Sequence, residues 1–165
     1  MDAIKIDRQK EAEEVMRRAS DQSNTGYIDI KLNDKNGKER KLSELEGKVI
    51  LIDFSAYESD NSVDYTFALR DLYNKYHKRG FEIYQVSLDR NKLIWEQSVE
   101  NIPWVCVRDE NGPNTVYAAT YNITSLPTNF LLNKKGVITS RNMSLGELAK
   151  QIEKNLYKPH LQQIK

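Results

Sequence analysis

Residues 49–62 run Val49-Ile50-Leu51-Ile52-Asp53-Phe54-Ser55-Ala56-Tyr57-Glu58-Ser59-Asp60-Asn61-Ser62. The first six form a nearly unbroken β-branched and aromatic run after Gly47-Lys48, the pattern of a strand covered on both faces in a parallel sheet. From Tyr65 the apolar residues Ala68, Leu69, Leu72, Tyr73 and Tyr76 recur at helical spacing, and Gly80 supplies a left-handed stop. Phe81 to Leu88 (FEIYQVSL) then alternates apolar with polar residues and predicts a second strand, parallel to the first by way of the helix. Strand, helix and strand make one βαβ unit.

Further along, Lys92 to Val99 predicts a short helix, Trp104 to Val107 a short strand, and Thr115 to Tyr121 another short helix. Thr128 to Leu132 and Val137 to Ser140, joined by Asn133-Lys134-Lys135-Gly136, predict an antiparallel hairpin. The last helix carries Ser144 as N-cap, Glu147 as its capping-box partner and Met143 against Leu148 as a staple. Its Leu145, Leu148, Ile152 and Leu156 form the face turned to the sheet. On the N-terminal side, Tyr27, Ile28, Ile30 and Leu32 precede the turn Asn33-Asp34-Lys35-Asn36-Gly37, a short hairpin. Residues 2–20 suit a helix with a thin apolar set. The order describes an α/β fold, a central mixed sheet flanked by helices, with an N-terminal hairpin and an added N-terminal helix. It divides into an appendage and linker over 1–26, one domain over 27–157 and a tail over 158–165.

Composition narrows the function. The 165 residues include 25 basic and 24 acidic side chains, a net charge of +1, so no overall field attracts nucleic acid. No apolar run approaches the length of a membrane span, and the N-terminal stretch lacks the apolar core of a secretory signal. Neither nucleic acid nor the membrane interior is expected as a partner. The one cysteine, Cys106, excludes an intramolecular disulfide and any zinc site built from several thiolates; no metal or cofactor is expected.

The loop at the end of the first parallel strand, facing a helix N-terminus, is the usual reactive position in such a sheet. Here Asp53-Phe54-x-Ala56-x-x-Ser59-Asp60-Asn61-Ser62 resembles, without a gap, the D-F-W-A-x-W-C-x-x-C stretch of thioredoxins. Ser125-Leu126-Pro127-Thr128-Asn129-Phe130 resembles the cis-proline loop of that superfamily. Lys41 to Phe54 is similar to the entry of TlpA/ResA-type and AhpC/TSA-type (redoxin) thiol-disulfide oxidoreductases. The resemblance spans residues 27 to 157. It implies a thioredoxin-like fold, a place on the cell-envelope or periplasmic side, and Ser59 and Ser62 at the positions of the attacking and resolving cysteines. Glu58 replaces the tryptophan that precedes them.

A serine cannot form a disulfide, and as a nucleophile it needs a neighbouring base. His77 lies at the far end of the helix and His160 in the tail. The simpler reading of Ser59, Asp60, Asn61 and Ser62 is N-cap and first-turn duty. By resemblance Asp53 is the buried acid that serves the resolving thiol; its plainer reading is a hydrogen-bonded carboxylate. Leu126 and Pro127, with Tyr57 and Glu58 from the altered loop, are the candidate binding residues, because the family pairs the residue before the proline with an extended peptide. Cys106, between Val105 and Val107, is a small buried hydrophobe by default and a reactive thiol only in an exposed, electropositive setting.

Two functions remain open. One is a redox-inactive module of an envelope protein, structural or binding an extended peptide or partner protein. The other is a thiol-disulfide oxidoreductase or peroxidase-type antioxidant working through Cys106 or a partner's thiol.

Overall fold

A computed structural model describes residues 26–157; the proposed helix over 2–20 and the tail over 158–165 lie outside the described residues. Seven strands form one mixed sheet: β1 (Lys31–Asn33), β2 (Glu39–Lys41), β3 (Val49–Ser55), β4 (Phe81–Ser87), β5 (Val105–Arg108), β6 (Thr128–Leu132) and β7 (Ile138–Arg141). Their spatial order is β2-β1-β5-β4-β3-β6-β7. The helices are α1 (Ser62–Tyr76), α2 (Lys92–Val99), α3 (Val116–Thr120) and α4 (Leu145–Leu156).

The run at 49–54, apolar but for Asp53, forms the middle of the sheet. β3 pairs parallel with β4 and antiparallel with β6, and every residue of it is buried. Its odd-numbered side chains meet α1, α2 and α4 through Leu69, Leu72, Trp95, Val99, Leu148 and Ile152. Its even-numbered ones meet Ile30, Leu42 and Tyr121 on the opposite face. Burying Leu148, Ile152 and Leu156 contributes about 2 kcal/mol each before conformational entropy is subtracted, which fixes α4 against the sheet. Ser144 caps α4 by accepting the Glu147 N–H at 3.3 Å, while the Glu147 carboxylate lies 3.7 Å from the Lys150 ammonium. At the end of α1 a 3-10 turn over His77–Arg79 stops at Gly80, whose φ of 105° a side chain rarely adopts. The N-terminal hairpin pairs β1 with β2, and β1 meets β5 at one register pair, Asn33 opposite Arg108.

Several local expectations shift. α1 begins at Ser62, one turn before the apolar repeat that announces it. Strand β5 starts one residue after Trp104, because Val105 is the residue opposite Tyr84 and the Trp104 indole is drawn into the core. β4 does not alternate between core and solvent: Glu82, Gln85 and Ser87 are as buried as their apolar neighbours. The stretch 59–62 is not a side-chain cap. Ser59 and Asp60 precede the helix in a turn closed by the Ser62 N–H on the Ser59 carbonyl at 3.3 Å. Asn61 holds the cap position in a left-handed conformation, φ 61°, with no side-chain bond to the helix. Asparagine tolerates that region better than most residues.

Candidate functional site

Register brings four polar side chains into one row on the α1 face of the sheet. Asp53 stands opposite Gln85 on one side and Asn129 on the other, and Gln85 stands opposite Cys106. Below this row the same face is apolar, through Val49, Leu51, Phe81 and Ile83. The row therefore marks the carboxyl ends of the parallel strands, where the sheet meets the loop that enters α1.

Asp53 is fully buried and accepts three hydrogen bonds: from the Tyr65 hydroxyl, from Ser55 Oγ at 2.7 Å and from Gln85 Nε2 at 3.0 Å. Loss of water raises its pKa, and the three donors offset only part of that rise. The Gln85 carbonyl in turn accepts from the Tyr57 hydroxyl, from Trp104 Nε1 at 3.1 Å and from the Cys106 thiol at 3.6 Å. Tyr57 and Tyr65 hold their protons to higher pH than free tyrosine, chiefly because they are buried and also because charge on Asp53 opposes theirs.

Above the row lies an open cavity of about 300 Å³. Its floor and helix side are Ser55, Tyr57, Tyr65, Thr66 and Gln85; its rim is Ala56, Ser59 to Ser62, and the Leu126-Pro127 pair. The Leu126–Pro127 peptide bond is cis. Among the described residues no main-chain hydrogen bond engages the N–H or C=O of Leu126. Ser62 Oγ donates to the Tyr57 carbonyl at 2.9 Å, so it is committed to holding the loop.

Two sequence candidates sit elsewhere. Glu58 is exposed and does not line the cavity; its carboxylate accepts the Asn91 N–H at 2.7 Å and its own N–H donates to Asp89 Oδ1 at 2.8 Å. The replacement of tryptophan by a carboxylate thus joins the loop to the segment before α2. Cys106 lies in β5 with 9% of its surface exposed, and burial, followed by the charge of Asp53, pushes its thiol pKa up. That setting is the reverse of the electropositive one a reactive thiol requires. Among the described residues no side-chain base is hydrogen-bonded to the Ser59 or Ser62 hydroxyl; the His77 ring stacks on Tyr73 at a centroid distance of 4.4 Å. Gln85, Tyr65 and Thr66 were not singled out by sequence as site residues. The signal for Gln85 is an amide inside a strand otherwise fit for burial; Tyr65 and Thr66 carry none beyond their place in the first turns of α1. Among the described residues no group of three or more His, Cys, Asp or Glu side chains is arranged to hold a metal ion.

A parallel βαβ core closed by an antiparallel hairpin, with a loop–helix junction facing a cis-proline turn, defines the thioredoxin-like class. A family model described as Thioredoxin-like matches residues 47–138, and the chain belongs to that family, among the thiol-disulfide oxidoreductases. It is 31% identical over 100 residues to the thiol-disulfide oxidoreductase ResA of Oceanobacillus iheyensis, covering 59% of this chain and 50% of that protein. With ResA of Geobacillus kaustophilus the identity is 30% over 136 residues, 78% of this chain and 72% of the relative. The chain thus spans about half the length of the first of these relatives. The solution structure of an uncharacterized thioredoxin-like protein from Bacteroides vulgatus is 46% identical, covers 79% of this chain and 86% of its own, and superposes with a TM-score of 0.73. A thiol-disulfide oxidoreductase from Bacteroides fragilis gives 26% identity, 74% and 96% coverage and a TM-score of 0.67.

Proposed function

We propose that this domain is a redox-inactive thioredoxin-like module of a cell-envelope protein that binds an extended peptide or the strand-like segment of a partner protein. The observation that carries the reading is the cavity beside Leu126. Its neighbouring main chain is unpaired and able to add a strand by hydrogen bonding, its walls offer apolar and hydroxyl surface, and no thiol lines it. Ser59 and Ser62 stand at the positions that the family resemblance gives to the two cysteines. A hydroxyl there supplies neither a thiolate nor a disulfide at any pH the fold survives.

The location rests on kinship with TlpA/ResA-type proteins. Among the described residues no helix is long and apolar enough to cross a membrane. A second reading, oxidoreduction through Cys106, is disfavoured by the burial that raises its pKa.

Two measurements test the proposal together. Insulin reduction by dithiothreitol should proceed at its uncatalysed rate in the presence of the protein. Turnover clearly above that rate, lost on Cys106→Ser, would overturn it. Titration of the 15N-labelled protein with insulin B chain whose cysteines have been alkylated should shift the amides of Ala56, Asn61 and Leu126; shifts scattered over other faces, or none, would remove the groove from consideration.

A further inference from the structure

The geometry points to a cationic side chain, a lysine ammonium or an arginine guanidinium on an apolar stem, as the group that fills the cavity when a peptide lies along Leu126. This rests on the peptide-binding reading above and adds its chemical selectivity.

A hydroxyl has one proton to donate and two lone pairs to offer. Three hydroxyls of the cavity wall have given their protons to carbonyl oxygens, which have none to return: Tyr57 to Gln85 Oε1, Ser62 to the Tyr57 carbonyl, and Thr66 to the Ser62 carbonyl at 2.7 Å. The orientation of the Gln85 amide is fixed by Trp104 Nε1, which donates to the same oxygen. Its Nε2 is spent on Asp53 and on Ser55 at 3.3 Å. The Tyr65 and Ser55 hydroxyls donate to Asp53.

These hydroxyls of the wall therefore offer lone pairs to whatever occupies the cavity. Side-chain protons left to give belong to Ser59 and Asn61 on the rim.

Charge agrees with this count. Asp60 lines the rim, and no lysine, arginine or histidine does. Among the described residues no ion pair engages the Asp60 carboxylate. The positive end of the α1 dipole, which disfavours a cation, is met by Asp60 before the helix and by Asp64 in its first turn. At the hydroxyl-lined part of the wall an occupant must bring donors, and an ammonium brings three with no acceptor to clash there. The apolar part of the wall, Ala56, the tyrosine rings, Leu126 and Pro127, suits the methylenes of its stem.

The test uses three blocked alanine pentapeptides that differ only at the centre, with lysine, norleucine or glutamate, each titrated into the 15N-labelled protein. The lysine peptide should bind about tenfold more tightly than the norleucine one, the size of a charge-assisted hydrogen bond. Asp60→Asn and, separately, Thr66→Val should each reduce the ratio of lysine to norleucine affinity severalfold. Equal affinity for lysine and norleucine, or tightest binding of glutamate, overturns the cation preference while peptide docking stands. If none of the three moves the amides of Asn61, Thr66 and Leu126, docking itself is wrong and the preference falls with it.

Discussion

The Glu58 carboxylate accepts the main-chain N–H of Asn91 at 2.7 Å, and it does so from the sequence position where the family resemblance places a tryptophan. The same residue's N–H donates to Asp89 Oδ1 at 2.8 Å, so the loop after β3 and the loop after β4 are tied at two points. A residue that in the resembling proteins precedes the reactive pair here serves to hold two loops together.

Glu58→Ala removes the acceptor of the Asn91 amide while leaving the cavity lining intact. The expected loss is about 1 kcal/mol in urea denaturation, with faster hydrogen exchange at Asn91 and unchanged exchange in β4. Glu58→Gln, which keeps an acceptor oxygen, should retain most of the stability.

Asp53 sets the pH response. Burial raises its pKa, so the folded protein keeps the proton at a pH where the unfolded chain has released it. Its contribution to stability is fully present below about pH 4, the ordinary carboxylate value, and is lost as pH rises through the raised folded-state value. Asp53→Asn cannot ionise. Denaturation curves taken from pH 4 upward should therefore show the wild type losing ground against the variant; a gap that widens in the wild type's favour would mean that the three donors outweigh burial.

The turn at Ser59–Ser62 is closed by a hydrogen bond from the Ser62 N–H to the Ser59 carbonyl. Such a turn holds its first and fourth Cα atoms within about 7 Å, close to the span a disulfide bridges. Ser59→Cys with Ser62→Cys should give an oxidised protein that has lost two hydrogens by mass and lacks the thiol titre of the pair. Two free thiols after oxidation of the folded protein would contradict the loop geometry.

Cys106 should react with iodoacetamide at neutral pH orders of magnitude more slowly in the folded protein than in urea, because its thiol is buried and its pKa is raised. Comparable rates in the two states would place the sulfur in a setting other than β5.

The legible parts of the fold were those where one physical demand acts alone. VILIDF can only be a covered strand, and Leu148, Ile152 and Leu156 at helical spacing can only be a buried face; both stand where the pattern puts them. Lys92–Val99 matches its expected bounds residue for residue. Legibility failed where two demands compete. In sequence Gln85 and Ser87 are only the polar members of an alternating strand, and nothing in that pattern reports their burial or their hydrogen bonds to Asp53, Ser55 and Asp89. Asn61 looked like a side-chain cap and instead contributes a backbone conformation. Glu58 appeared to belong to the groove because of its neighbours in sequence, whereas its partners come from residues more than thirty positions away. The sequence points to the cavity only through the loops that border it; its floor depends on side-chain protons that no spacing rule reports.

The single register pair between β1 and β5 has a consequence for how the molecules meet one another in solution. The hairpin is fastened less by that ladder than by Ile30 and Leu42 in the core and by the Tyr84 hydroxyl on the Arg40 carbonyl at 2.9 Å. What it presents outward is Glu39-Arg40-Lys41, a short, charged border that makes a poor template for another chain. Behind it lies the edge of β5, where Val105 and Val107 alternate with Cys106. The hairpin thus acts as a guard rail against aggregation: were it to detach, the immediate hazard would be fibre-like pairing between copies at β5, well before the domain came apart.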